Sequence, residues 1–290
     1  MKLKGRRESN NVEDRRGMST RTKAGIGGIG GIVLIALFTL MQGGGIGDIV
    51  GNVIQQGGLN TLREEVAPQQ REFTAEEEEL AKFSRQILAS TEDVWSKVFQ
   101  EMGRTYTPPT LMLFTDRVNS ACGSASSAAG PFYCSGDQKL YIDLSFFTSM
   151  KQQLGASGDF AYAYVIAHEV GHHVEYLLGT LGEAHQQMSR SNKIDANRIS
   201  VRLELLADYY AGVWAHHDDA EYNSLEDGDI EEAINCAEKI GDNYLQKKAQ
   251  YVQPESFTHG TSAQRMKWLK LGLEKGDMNI STFNVPESDL

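Results

Sequence analysis

His168, Glu169 and His172 stand in the run Ala167-His168-Glu169-Val170-Gly171-His172, inside an apolar stretch from Phe160 to Leu178 that reads as a helix. Histidines four residues apart sit one turn above each other on one helix face. Two imidazoles so placed can take one zinc ion, and Glu169 can reach a water held on it. Zinc brings the pKa of such a water towards neutrality, and a carboxylate can take the proton as the water attacks a carbonyl. The pattern points to a zinc peptidase. Because so short a pattern also arises by chance, a third ligand and a substrate platform have to come from elsewhere in the chain.

A hydrolytic zinc site commonly uses three protein ligands and leaves the fourth position to water. No cysteine lies near the histidine pair, which leaves carboxylates and other histidines. Glu204 sits in Arg202-Leu203-Glu204-Leu205-Leu206-Ala207-Asp208, within a predicted helix from Ile194 to Ala215. A carboxylate among apolar neighbours needs a partner. Zinc would serve, and so would Arg198 or Arg202 at the surface. Asp208, one turn later, could accept a hydrogen bond from the far nitrogen of His168 or His172 and fix its tautomer. His173 points about 100° away from His172 and reads as a core or partly exposed histidine. His259, in Thr258-His259-Gly260-Thr261-Ser262, precedes a helix. It either donates to the oxyanion formed in peptide hydrolysis or is a plain loop residue. Arg265 either steadies Asp208 or Glu204 or lies in solvent. His185 falls in a stretch, 179–193, that reads as a polar loop, and His216-His217 close a helix where cations suit the dipole.

The elements that must position these groups are unevenly charged. The chain has 290 residues, 40% hydrophobic and 23% charged, the make-up of an ordinary globular protein. Its net charge is -11, with +5 on residues 1–23 and -16 on the remainder. So acidic a body argues against nucleic acid as a partner. Residues 1–23 read as a disordered basic head. Residues 24–43 are uncharged after Lys23, with Ile32-Val33-Leu34-Ile35-Ala36-Leu37-Phe38 at their heart, and read as one membrane-spanning helix. The charges before it place the N-terminus in the cytoplasm and the body outside. A buried core helix and a cleaved signal peptide are the alternatives. Residues 44–73 read as a Gly/Gln/Asn-rich linker, 74–276 as the body and 277–290 as a loosely ordered tail.

Within the body, Thr74-Ala75-Glu76-Glu77 has the form of a capping box. Two helices follow, the second over Thr91 to Met102, then strands over Thr110 to Phe114 and Lys139 to Leu144. A short helix over Phe146 to Leu154 and, late in the chain, helices over Ile230 to Ala249 and Ser262 to Lys275 complete the reading. Between the strands lies a Gly/Ser/Ala-rich segment bracketed by Cys122 and Cys134. Outside the cytoplasm such a pair forms a disulfide and closes a loop; free or metal-binding thiols are the alternative. A stapled loop there could present a strand edge to a peptide. Cys236 reads as a buried small hydrophobe.

Taken together, these motifs make the chain resemble the bacterial neutral zinc metallopeptidase family. The resemblance rests on Gly5-Arg6-Arg7-Glu8-Ser9-Asn10-Asn11-Val12-Glu13-Asp14-Arg15-Arg16-Gly17 and on the Ala121 to Cys134 segment. It rests also on His168 to His173, on Arg202 to Asp208, and on Thr258 to Arg265, all in order. It implies a gluzincin-like site in which a downstream Glu, in a Glu-x-x-Ala-Asp setting, is the third ligand. That role falls on Glu204, with Asp208 supporting the ligands. A late His followed by Arg is similar to motifs of membrane-associated zinc peptidases, which points to His259 and Arg265. The expectation is an α+β, zincin-like metallopeptidase domain, mainly helical with a small sheet, on one N-terminal transmembrane helix. His168, His172 and Glu204 would bind one zinc, Glu169 would act on the water, and the substrate would be a peptide or protein of the bacterial envelope. The alternative is a zinc-bound, non-catalytic binding or chaperone-like envelope module, which would have no need of Glu169.

Overall fold

In the computed structural model, residues 1–17, 72–248 and 252–290 are described. The candidate membrane span at 24–43 and the linker up to residue 71 lie outside the described residues. Among the described residues, no helix is long and apolar enough to cross a membrane.

The chain begins with a short strand, β1 (Val12–Asp14). Helix α1 (Ala75–Glu101) starts at a capping box: Thr74 accepts the Glu77 N–H while the Glu77 carboxylate accepts the Thr74 N–H. Acidic Glu76, Glu77 and Glu78 fill its first turn, where the helix dipole favours them. The strands are β2 (Thr110–Phe114), β3 (Arg117–Ser120), β4 (Gly123–Ser126), β5 (Phe132–Cys134) and β6 (Lys139–Asp143). They give a sheet in the order β1-β2-β6-β5 and a separate antiparallel β3–β4 ribbon. β1 and β6 both run parallel to β2, and β5 runs antiparallel to β6 and forms the sheet edge. Alternation along the strands sorts the side chains. Leu111, Leu113, Leu140 and Ile142 join the main helical core, while Met112, Phe114 and Tyr141 pack under Val118 and Phe132 on the other face.

Helix α2 (Ser145–Ser149) continues into a π turn (Met150–Leu154) and leads to α3 (Asp159–Leu178). Then come α4 (Thr180–Met188), α5 (Lys193–Tyr222), α6 (Asp229–Lys239), α7 (Asp242–Lys248) and α8 (Ser262–Lys275). Trp95, Trp214 and Trp268 are fully buried among these helices. α3 and α5 cross where Gly171 meets Ala207: a Cβ on Gly171 would stand 2.9 Å from the Ala207 Cα and carbonyl oxygen. The missing side chain lets the backbones approach, and that approach brings Glu204 of α5 to the histidines of α3. α5 and α8 use the same device, since a Cβ on Gly272 would stand 2.0 Å from the Tyr209 carbonyl oxygen.

Several sequence expectations are corrected. Residues 1–17 are not a disordered head: β1 is an integral strand, Met1 and Ser9 are buried, and Arg6 forms an ion pair with buried Asp218. Polarity suggested disorder because the partners of these residues lie far along the chain. α1 is one helix, not two. Thr91, read as a new start, is buried with its hydroxyl donating to the Leu88 carbonyl (2.7 Å). Residues 180–188 form α4 rather than a loop, because Leu181 and Ala184 pack against Leu203 and outweigh Gly182. The predicted helix from Ile230 breaks at Ile240-Gly241, where Gly241 lies against the Ser262 backbone, a Cβ there standing 2.4 Å from the Ser262 nitrogen. The tail is pinned: Thr282 is fully buried, its hydroxyl donates to the Arg202 carbonyl, and the Arg202 guanidinium donates to the Val285 carbonyl.

The helix crossing gives a direct test. Gly171→Ala forces α3 and α5 apart, and overpacking of this kind costs about 1–3 kcal/mol. Thermal melts with and without zinc should show lower stability and a smaller zinc-induced rise in Tm. An unchanged zinc response would mean that the crossing does not set the site.

Candidate metal centre

α3 carries His168 and His172 on its α5-facing side, and α5 presents Glu204 to both. His168 Nε2 lies 3.2 Å from Glu204 Oε2, and His172 Nε2 lies 3.6 Å from Glu204 Oε1. One ligand atom from each of the three residues lies within 4.8 Å of the others. The surface pairing of Glu204 is excluded: Arg202 bonds the tail carbonyls, and Arg198 pairs with Asp195 and Glu287.

The remote nitrogen of each histidine is held by its own carboxylate. His168 Nδ1 donates to Asp208 Oδ1 at 2.8 Å, and His172 Nδ1 donates to Glu175 Oε2 at 2.9 Å. Both rings therefore turn Nε2 towards Glu204, the orientation a metal requires of them. Asp208 is fully buried and also accepts from the Tyr164 hydroxyl (2.5 Å) and from Arg265 Nε and Nη2 (2.9 and 3.0 Å). Two imidazole nitrogens and a carboxylate, each oriented from behind, fit zinc by donor type and number. The sequence expectations for His168, His172, Glu204, Asp208 and Arg265 thus meet in one place. Glu175 and Tyr164 were missed. Glu175 carried a signal, being a carboxylate in the apolar run of α3.

The electrostatics follow from burial set against pairing. Burial opposes charge on His168, but Asp208 and Glu204 overcome it and hold its pKa at about 10. Burial likewise opposes charge on His172, and Glu175 and Glu204 raise its pKa. Burial would raise the Glu204 pKa, but His259 and the two α3 histidines hold it well below the usual carboxylate range. Glu169 is raised, chiefly by burial, against the pull of His168 and His172. Burial also lifts Glu175 to about 7, with His172 opposing.

His259 lines the cleft onto which His168, Glu169, His172 and Glu204 open. The first turn of α7 fixes it: Asp242 Oδ2 accepts the N–H groups of Thr258, His259 and Gly260, and Asp242 Oδ1 lies 3.2 Å from His259 Nδ1. Burial lowers the His259 pKa, but Glu204 and Asp242 raise it to about 9. Asp242 had no signal in the sequence, being an acidic residue in what read as the middle of a helix.

His173 does not join the centre, as expected. It is buried, its Nε2 donates to the Thr107 carbonyl (2.7 Å), and its Nδ1 accepts from the Tyr133 hydroxyl (2.9 Å). That contact ties α3 to the sheet edge at β5. His216 and His217 face the carbonyls of Leu273 and Gly276, and His185 lines the cleft from α4 rather than from a loop. Cys122 and Cys134 form a disulfide (S–S 2.04 Å), and Cys236 is free and buried. The cleft has a volume of about 560 Å³ and runs from the disulfide loop past Phe146 and Met150 to His168, Glu169 and His172. A second acidic group, Asp159, Asp229 and Glu232, lies apart from it, where Asp159 and Asp229 hold the Met1 amine at 2.6 and 3.3 Å.

Residues 1–283 match the family described as "Putative neutral zinc metallopeptidase". The chain belongs to this family. It is 45% identical over 286 residues to "Uncharacterized protein YpfJ" of Escherichia coli K12, covering 96% of each chain. It is 42% identical over 194 residues to "Uncharacterized protein Rv2575" of Mycobacterium tuberculosis H37Rv, covering 63% of this chain and 64% of that relative. No solved structure is significantly similar to the chain.

Two outcomes test this arrangement. Glu204→Ala should lower zinc affinity by more than about a hundredfold, beyond the usual cost of losing a supporting hydrogen bond. A full zinc complement after dialysis against a weak chelator would remove Glu204 from the ligand set. For His173, burial lowers the folded pKa to about 4 from 6.5. The unfolded chain therefore takes the proton first. The stability is complete above pH 6.5 and is lost as the pH falls towards 4, by about 3 kcal/mol at most. Denaturant melts at pH 7 and pH 4.5 should show a smaller acid loss in His173→Gln than in the wild type, and equal losses would contradict the assignment.

Proposed function

We propose that the protein is a zinc-dependent metalloendopeptidase that cleaves peptide bonds of proteins outside the cytoplasm. The observation that carries this reading is Glu169, which lies in the same cleft as the His168–His172–Glu204 ligand set and next to His168 in α3. A zinc site needed only to stabilise the fold would have no use for a buried carboxylate at that position.

When bound, zinc supplies a Lewis acid that polarises a carbonyl and lowers the pKa of a water. His168 Nε2, His172 Nε2 and the Glu204 carboxylate would hold it. Burial makes Glu169 more basic than an exposed carboxylate, which suits it to take a proton at its carboxylate and pass it to the leaving amine. His259, held by Asp242 through Nδ1, turns its Nε2 side to the cleft, where it would serve the oxygen that gains charge as the carbonyl is attacked. The β5 edge and the stapled loop beside it offer main-chain groups along which a peptide can lie. Helix α3 running beside such an edge is what supports a zincin-like reading of the fold. The Cys122–Cys134 disulfide supports an oxidising compartment, the bacterial periplasm or cell exterior. The apolar stretch at 24–43 supports attachment to the cytoplasmic membrane.

Glu169→Gln should keep its zinc and lose about a hundredfold to ten-thousandfold in cleavage of an unfolded protein substrate. Zinc-dependent cleavage that survives the substitution would remove Glu169 from the mechanism.

A further inference from the structure

In the sequence, the Lys and Arg residues before the apolar stretch carry a topological meaning: they mark a cytoplasmic flank. In the structure four of the described ones, Lys2, Arg6, Arg7 and Arg16, are engaged by the body. Arg6 donates to both oxygens of buried Asp218 in α5 (2.9 and 2.5 Å). Arg7 pairs with Glu92 and Asp93 of α1 (2.9 and 2.7 Å). Lys2 donates to the Asn223 carbonyl (2.9 Å). Arg16, itself buried, pairs with Asp14 and Glu78 (2.6 and 3.0 Å) and donates to the Glu77 carbonyl. Neutral contacts run in parallel. Ser9 and Asn11 both donate to Glu92 (2.5 and 2.7 Å), and Val12, Glu13 and Asp14 stand in register with Leu111, Met112 and Leu113 of β2.

We infer that residues 1–17 and the body that carries the metal centre lie on the same side of the membrane as one folded unit. A strand cannot be hydrogen-bonded into a sheet from across a hydrocarbon layer of about 30 Å. The Arg16 guanidinium lies over the Phe73 ring at 4.2 Å, so the chain before residue 18 and the chain after residue 71 meet at one point of the surface. A single crossing between residues 17 and 72, with residues 1–23 in the cytoplasm and the body outside, is incompatible with that packing. The basic residues of the segment act as partners for the acidic body, and Asp218 shows why they are needed. It is fully buried and its carboxylate faces Arg6 and the Ser90 hydroxyl. Losing one member of a buried pair leaves the other charge uncompensated.

This inference shares only the membrane location with the proposed function, and its test does not depend on peptidase activity. The experiment uses the full chain expressed in bacterial cells, with single cysteines introduced at exposed positions: Asn10→Cys or Lys4→Cys in the N-terminal segment, and Arg190→Cys after α4 as the reference on the body. The wild type is the blank, because Cys122 and Cys134 are bonded and Cys236 is buried. A membrane-impermeant maleimide is applied to intact spheroplasts and to inverted membrane vesicles. The expected result is that the N-terminal cysteine and Arg190→Cys react in the same preparation and are both protected in the other. Labelling of Asn10→Cys and Lys4→Cys only in the preparation where Arg190→Cys is protected would overturn the inference.

Discussion

Asp208 holds a negative charge with no access to solvent, and the candidate metal centre is arranged around keeping it there. Burial disfavours the charge, while Arg265 and His168 lower its pKa enough to retain it. The Tyr164 hydroxyl and Arg265 complete its hydrogen bonds from α3 and α8. The carboxylate thereby fastens α3, α5 and α8 at the level of the ligands, and it fixes which nitrogen of His168 faces the cleft. Removing one partner of such a buried pair costs about 3–5 kcal/mol. Stability and the placement of the candidate ligands therefore rest on the same atoms. The close crossing of α3 and α5 at Gly171 and Ala207 makes this possible, since a wider separation would leave Glu204 short of the histidines.

Around that hub the molecule repeats one arrangement: a functional imidazole is turned by a carboxylate behind it. Asp208 turns His168, Glu175 turns His172 and Asp242 turns His259. The first two leave Nε2 free for a metal, and the third holds its ring in the wall of the cleft. His173 is the contrast. Bonded to a carbonyl and a phenol, with no carboxylate, it stays neutral, and it links the ligand helix to the sheet edge where a peptide could lie.

The parts of this design that were legible in the sequence are those with local signatures. His168, Glu169 and His172 declare themselves by spacing, the start of α1 by its capping box at Thr74, and β6 by alternation. Glu204 and Asp208 needed the family resemblance, because an acidic residue in a helix is equally well explained by a neighbouring arginine. What was hidden depends on contacts distant in sequence. Asp242 is an unremarkable acidic residue until the turn at Thr258 to Gly260 folds onto it. Residues 1–17 look like a basic, disordered flank because Glu92, Asp218 and Leu111 lie far along the chain. Charge pattern alone cannot distinguish an arginine that waits at a membrane from one that fills a carboxylate pocket.

The central claim is that one zinc ion is held by two imidazoles and a carboxylate, without thiolate. X-ray absorption at the zinc edge of the purified full chain tests this most directly. The account predicts one zinc per chain, with nitrogen and oxygen neighbours at about 2.0–2.2 Å and the multiple-scattering signature of imidazole. A sulfur neighbour at about 2.3 Å, or a preparation that takes up no zinc, would contradict it.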